Sequence, residues 1–292
     1  MKPDFHCHTT ASDGSLTPCE LIDRAVSQGI THLAITDHDT TKGYEEAREC
    51  AQQQGICLVP GSEISCQWRG HTIHVVGLGV DVTHPRLQSG LQYNRVLRWK
   101  RALAMEDRFR QKKGWSLLPD ILPQVKEGMI GRNHFAQALM AQGHVSTQKQ
   151  AFDRFLKKGK PMFVDVVWPS LAEITQWITQ AGGMAIVAHP HLYKLTSNKL
   201  NQMLVEFVNA GGQGLEVVNQ PRVCSEQFAM AQRAEKFGLY ASMGSDFHRP
   251  EQHWRNLGWL QPLPARCRPV WEWLAARGQF ESVPCAKTST DV

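Results

Sequence analysis

The chain has 292 residues, 42% of them hydrophobic, enough for one barrel-sized domain with an insertion or for two modest domains. No secretory leader is read in Met1–Thr10, and no stretch approaches the roughly 18 apolar residues of a membrane span, so a soluble cytoplasmic protein with no membrane partner is expected. The net charge of +5 suits anionic substrates without singling out a nucleic-acid binder, and the eight cysteines, with no C-x-x-C pair, read as reduced structural thiols rather than a zinc site.

The first half alternates short apolar runs with helical patterns. PDFHCH precedes a helix over about Thr17–Gln28, HLAIT precedes a helix over about Thr41–Gln54, and ICLVPG completes a β/α/β/α/β order. ISCQWRGHTIHVVGLGV reads as two strands joined at Arg69 and Gly70, with an exit loop from Asp81 to Pro85. From about Arg86 to Lys160 the pattern becomes helical and basic, in three segments that each end at a glycine suited to a helix C-terminus.

Alternation resumes with a helix over about Ser170–Gln180, the strand MAIVAH, a helix to about Ala210, the strand GLEVVN, a helix to about Phe237 and the strand LYASMGSDFH. The expected fold class is α/β, with about seven mostly parallel strands in a sheet or barrel and function at the strands' C-terminal ends. Residues 1–83 and 161–283 are assigned to the barrel, 84–160 to an inserted helical domain, and 284–292 to a flexible polar tail.

The chemistry is read from what closes the apolar runs. His6 and His8, two apart in a strand, project from one face and could share an ion. Asp13 lies in the polar loop that follows, where by itself it reads as a turn or cap residue. HLAITDHD ends in Asp37, His38 and Asp39, and such a cluster after an apolar run is costly unless solvated, paired or metal-bound. His38 is the candidate ligand there.

Glu63 ends the third run, His74 lies in the fourth, His189 ends MAIVAHP, and Asp246 and His248 end YASMGSDFH. Six imidazoles and three carboxylates exceed what one tetrahedral zinc uses and fit two or three ions with open water positions. Three carboxylates leave three dications with net positive charge, which suits phosphate binding and phosphoester hydrolysis.

These residues resemble the polymerase and histidinol phosphatase (PHP) family, whose four motifs stand here as HCH, TDHD, IH within HTIHVVG, and GSDFH. With EIS after PG, AHP after MAIVAH and GRNHF in the insertion, the chain is similar to the subfamily of ribonuclease AM and nucleoside 3',5'-bisphosphate phosphatases. The resemblance spans nearly the whole chain. It implies a distorted (β/α)7 PHP barrel holding three divalent metals, usually manganese, with zinc or iron also accepted by such ligands.

By the same resemblance His6, His8, Glu63 and Asp246 hold one metal, Glu63, His74 and His189 a second, and Asp13, His38 and His248 the third, all nine being catalytic. Arg132 and His134 of GRNHF would bind the substrate phosphate. A departure is His191, Leu192 and Tyr193 after Pro190, where similar proteins carry glycine, arginine and tyrosine. His191 is read either as a loop histidine or as an added contact. Cys7, between two ligands, should point away and pack.

The implied activity is removal of the 3'-phosphate from nucleoside 3',5'-bisphosphates and 5' to 3' release of mononucleotides from short 5'-phosphorylated RNA or DNA. The alternatives are a phosphatase of a small metabolite such as histidinol phosphate, or a metal-stabilised interaction module without catalysis. No obligate protein partner is indicated. The basic run Arg95, Arg98, Lys100, Arg101, Arg108, Arg110, Lys112 and Lys113 reads either as a solvated helix face or as a flank for nucleic acid.

Overall fold

The computed structural model describes residues 1–125, 129–252 and 255–279; the tail expected over 284–292, with Cys285, lies outside the described residues. Among the described residues no helix is long and apolar enough to cross a membrane.

In chain order the first elements are β1 (Pro3–Cys7), α1 (Pro18–Ser27), β2 (His32–Ile35), α2 (Lys42–Gln53), β3 (Cys57–Trp68) and β4 (His71–Leu78). A helical stretch follows with α3 (Pro85–Lys113), α4 (Leu118–Ile121), α5 (Arg132–Ala141) and α6 (Gln148–Ala151), the last continued by a π-helical turn over Phe152–Leu156. The chain then runs through α7 (Leu171–Gln180), β5 (Met184–Val187), α8 (Ser197–Asn209), β6 (Gly214–Val218), α9 (Ser225–Lys236), β7 (Tyr240–Met243) and α10 (Val270–Ala275).

Local chemistry sets the element ends. Thr17 and Glu20 form a reciprocal capping box at α1, with Pro18 at the first helical position, and Ser170 and Glu173 do the same at α7. The long helix α3 ends at Gly114, whose φ of 72° closes it in the left-handed region.

The seven strands pair in sequence order. β1, β2 and β3 run parallel, β5, β6 and β7 run parallel, and β4 is antiparallel to both its neighbours. The runs ending at Gly61 and starting at Ile64 are therefore not two strands: β3 is one 12-residue strand that forms a hairpin with β4 through Arg69 and Gly70, both at positive φ.

Beyond β7 the ring closes against β1. The backbone N–H of Asp246 donates to His6 O at 2.8 Å and that of His8 to Phe247 O at 2.9 Å. Gly244 permits this approach, since a Cβ there would stand 2.1 Å from the Cβ of His6. The interior is filled by Phe5, Ala34, Val59, Val76, Leu78 and Ile186, and helices cover the outside.

Helix α3 links two cores. Its Leu87 and Leu91 pack with Trp177 and Ile178 on the barrel, whereas Ala102, Met105 and Phe109 pack with Phe135, Leu139 and Phe155 of the helical stretch. A single 29-residue rod thus carries its middle turns past the barrel mouth.

The reading of all cysteines as reduced is corrected at one pair. Cys19 of α1 and Cys50 of α2 form a disulfide with Cα atoms 5.8 Å apart. The two helices pack side by side over the same core cluster, which brings together cysteines that no local spacing relates. Cys7, Cys66, Cys224 and Cys267 are free thiols.

Candidate metal centre

Six of the seven strands, or the loops that follow them, deliver side chains to one mouth. His6 and His8 leave β1, Asp13 follows in the β1–α1 loop, His38 follows β2, Glu63 lies in β3, His189 follows β5, and Asp246 and His248 follow β7. His74 comes from the first half of β4, because the reversed direction of that strand brings its beginning rather than its end to the mouth. Asp39, His189 and Asp246 adopt positive φ of 51°, 29° and 53° as non-glycine residues, and strain of that kind persists only where surrounding contacts hold it.

Glu63 is the hub. Its Oε1 lies 2.9 Å from His74 Nδ1 and 2.8 Å from His189 Nε2. Its Oε2 lies 3.0 Å from His38 Nδ1 and 3.3 Å from the Nε2 atoms of both His6 and His8. Asp246 Oδ1 faces the same two Nε2 atoms at 3.7 and 3.3 Å. On the other side Asp13 Oδ1 is 3.4 Å from His248 Nε2 and 4.0 Å from His38 Nε2.

Three sets of donor atoms result, each lying within 4.8 Å of one another: His6, His8, Glu63 and Asp246; His8, Asp13, His38 and His248; and His38, Glu63 and His74. The first is the set named from the sequence. The second adds His8 to the expected Asp13, His38 and His248. In the third His38 joins Glu63 and His74, while His189 meets Glu63 from beside it.

Several of these atoms are buried without a hydrogen-bond partner among the described residues: His6 Nε2, both ring nitrogens of His8, Asp13 Oδ1, His38 Nδ1 and Glu63 Oε2. An unsatisfied buried polar group costs about 1–3 kcal/mol, so such a cluster of aligned lone pairs fits bound cations. Imidazole and carboxylate donors without thiolate suit divalent transition ions such as manganese, zinc or iron.

The charge states agree with that reading. Burial opposes ionisation of Glu63, yet the imidazoles of His38, His74 and His6 hold its carboxyl well below the usual range. Asp246, equally buried, is held down by Arg255 and His248, and Asp13 by His248 and His38. Burial lowers His38 to about 4, keeping it a neutral donor. His8 is opposed by burial but pushed up to about 10 by Asp246 and Glu63.

A supporting layer fixes the ligands. Glu216 of β6 accepts from His6 Nδ1 at 2.6 Å and from the His189 backbone N–H at 3.2 Å. Asp37 accepts from Thr9 N, Thr9 Oγ1 and Ser12 Oγ at 2.7, 2.6 and 2.5 Å, shaping the loop that carries Asp13. Tyr193 Oη accepts from the His74 backbone N–H at 2.8 Å. Cys7 points away, donating its thiol hydrogen to Ala34 O. Glu216 escaped the sequence reading although its signal was present, a lone carboxylate inside the apolar run GLEVV.

Seven of the ligands floor a cleft of about 440 Å³ whose far wall comes from the helical stretch, with Arg98, Arg101, Arg132 and Asn133, and from the segment before α7, with Phe163, Asp165 and Trp168. Arg98 pairs with Asp39 Oδ2 at 2.6 Å. Arg101 and Arg132 have no hydrogen bond or ion pair from their guanidinium groups among the described residues; they lie over the rings of Trp168 and Phe163 at 5.6 and 5.7 Å. Burial, with Arg98 and Arg132 nearby, pulls the Arg101 guanidinium well below its ordinary pKa. A buried and a partly buried cation, neither with a carboxylate at ion-pair distance among the described residues although Asp165 acts on Arg132 from further off, make an anion site beside the N-terminus of α5.

His134 lies just behind this wall. Its Nδ1 accepts from the Gly131 backbone N–H at 3.0 Å, at the start of α5, and it does not line the cleft. Asn133 Nδ2 donates to Asp13 Oδ2 at 2.5 Å, tying α5 to the ligand loop. His191 is half-buried, 3.2 Å from Asn219 Nδ2, and stands outside the three donor sets.

A barrel with a ligand-lined mouth beside an anion pocket is the architecture of a phosphate-handling hydrolase. The chain belongs to the PHP domain family, whose sequence model matches residues 4–181. It is 40% identical over 283 residues to the 3',5'-nucleoside bisphosphate phosphatase of Chromobacterium violaceum, covering 94% of this chain and 96% of that protein. It is 41% identical over 271 residues to a 5'-3' exoribonuclease of Haemophilus influenzae, covering 93% and 98%. A solved Chromobacterium violaceum structure, described as an amidohydrolase with bound sulfate and no metal, superposes with a TM-score of 0.90 at 39% identity over 95% of this chain and 97% of that one.

Proposed function

We propose that this chain hydrolyses the 3'-phosphate of nucleoside 3',5'-bisphosphates and releases 5' mononucleotides from short 5'-phosphorylated oligonucleotides in the 5' to 3' direction. The observation that carries the reading is the facing of two sites across one cleft: seven of the nine imidazole and carboxylate side chains on the floor, and the guanidinium groups of Arg101 and Arg132 on the wall. Two anion-seeking sites in one cavity fit a nucleotide with a phosphate at each end.

In this reading three divalent ions, manganese foremost, are held by His6, His8, Glu63 and Asp246, by Glu63, His74, His189 and His38, and by Asp13, His38, His8 and His248. When bound, such ions supply Lewis acidity and acidify the attacking water. Arg101 and Arg132 grip the 5'-phosphate, with bidentate geometry available to each guanidinium, and so set the distance to the 3' ester. Trp168 and Phe163 give that pocket aromatic walls against which a nucleoside can pack. His134 acts one step back, holding the start of α5 and thereby Arg132. Arg255, paired with Asp246 Oδ2, keeps that carboxylate aimed at His8.

The test is a chromatographic product time course with manganese-loaded protein on adenosine 3',5'-bisphosphate and, separately, on a 5'-phosphorylated RNA. AMP with phosphate from the first and successive 5' mononucleotides from the second are expected. A metal-replete sample inert to both would overturn the nucleotide reading in favour of small phosphomonoesters such as histidinol phosphate, or of a non-catalytic module.

A further inference from the structure

A second cavity, of about 910 Å³, opens beside the ligand cleft and is lined by His191, Asn219, Gln220, Arg222, Arg255 and Trp259, with Pro221 between them. Arg255 lines both cavities, and His191 adjoins Leu192, which lines the first. The groove therefore continues from the Asp246 side of the ligand cluster, whereas the arginine pocket lies toward the helical stretch.

Its surface has the makings of a single-strand subsite. Trp259 is 50% exposed although it is a large aromatic residue, and its indole N–H donates to Gln28 Oε1 at 3.3 Å, which fixes the ring while leaving it open. Arg222 is exposed, and the groove carries Arg222 and Arg255 with no carboxylate among its lining residues. The side-chain amides of Asn219 and Gln220 converge on the His191 ring at 3.2 and 3.5 Å, adding polar edges to the same groove.

We propose that this groove binds the nucleotide on the 3' side of the scissile phosphate, with Trp259 stacking on its base and Arg222 contacting the next phosphate. The inference rests on the oligonucleotide reading above. A nucleoside bisphosphate places one phosphate at the ligand cluster and one at Arg101 and Arg132, and leaves the groove empty. An oligonucleotide held in the same register must continue past Arg255. In that step water adds to phosphorus, the P–O3' bond breaks, and one water proton goes to the departing 3'-oxygen. The downstream strand keeps the phosphate as its new 5' end, still seated in the groove. His191, standing where similar sequences carry glycine, contributes to the floor of this subsite rather than to the ligand cluster.

The experiment compares wild type with Trp259→Ala, Trp259→Phe and Arg222→Gln, all manganese-loaded, on adenosine 3',5'-bisphosphate and on a 5'-phosphorylated RNA pentamer. Trp259→Ala is expected to raise KM for the RNA at least about fivefold, the low end of what losing one base–aromatic stack does. Trp259→Phe restores most of it, and the bisphosphate kcat/KM stays within about twofold for every variant. Arg222→Gln makes the dependence of log KM for RNA on log salt shallower by roughly 0.7, one single-strand phosphate contact. Equal loss on both substrates, or no change on RNA, overturns the groove assignment. A wild type active on the bisphosphate but not on RNA overturns it while sparing the phosphatase reading, and inertness to both overturns that reading as well.

Discussion

Glu216 Oε2 stands 2.6 Å behind His6 Nδ1, on the opposite edge of the ring from the Nε2 that faces Glu63 and Asp246. A carboxylate there fixes the tautomer with hydrogen on Nδ1, so that Nε2 keeps its lone pair for an ion, and it makes the ring more basic. Its second oxygen holds the strained His189 turn. Glu216→Ala is expected to weaken manganese binding about 10- to 100-fold while leaving the barrel folded. Calorimetric titration of the apo-protein measures this, and Glu216→Gln, which keeps an acceptor, should recover part of the affinity. An unchanged affinity in Glu216→Ala would remove it from the positioning role.

Arg101 offers a separable effect on substrate choice. Its guanidinium is buried, unpaired and beside Arg98 and Arg132, so the folded protein gains nothing from its charge until an anion arrives. Arg101→Met should therefore leave the thermal midpoint unchanged or slightly raised. It should cost roughly 10- to 100-fold in the preference for 5'-phosphorylated over 5'-hydroxyl RNA, the worth of about 1.5–3 kcal/mol for hydrogen bonds to a charged group. Arg132→Ala should shift the same ratio in the same direction. A retained preference in both variants would place the phosphate-reading group elsewhere.

What could be read from the sequence, and what could not, follows from how local each signal is. His6, His38, His189 and His248 end apolar runs, and a polar residue at such a place announces itself without any tertiary information. The reversal of β4 does not, because alternation has no direction; His74 looked like a mid-strand residue until pairing with both neighbours turned the strand over. The two-sided role of α3 blurred its periodicity. Asn94, Arg98, Arg101 and Met105 recur at helical spacing and share the buried face, so two members of the basic run point inward, while Lys100, Lys112 and Lys113 remain exposed. The disulfide joins residues 31 apart that only the packing of α1 on α2 relates.

The metal-free centre should be linked to pH through His8. Its pKa of about 10 exceeds the ordinary 6.5, so the protonated imidazole stabilises the metal-free fold fully below about pH 6.5, and that stabilisation is lost as pH rises through about 10. A bound ion needs the neutral ring, and manganese must displace the proton. Binding near neutral pH is therefore expected to release at least about one proton per protein, and the metal-induced rise in Tm should grow with pH. Titration calorimetry in buffers of different ionisation enthalpy counts the protons. Zero release would mean that His8 is already neutral without metal.

Arg98 and Arg101 sit one turn apart on the same face, yet their substitutions should act on different properties. Arg98 donates to Asp39 Oδ2 at 2.6 Å and to Ser65 Oγ at 2.8 Å, and Asp39 itself adopts positive φ and accepts from Asn94 Nδ2 and the Ser65 backbone N–H. This contact locks the middle of α3 to the exits of β2 and β3, where His38 and Glu63 are presented. Arg98→Ala leaves the buried Asp39 carboxylate short of its cation and should destabilise the fold by about 3 kcal/mol, near the low end for breaking a buried pair because two donors remain. Adding Asp39→Asn removes the stranded charge and should recover part of the loss. Denaturant midpoints of the two single variants and the double variant measure the coupling. Additive effects would show that Arg98 stands in the cleft for the substrate, as Arg101 does, rather than for Asp39.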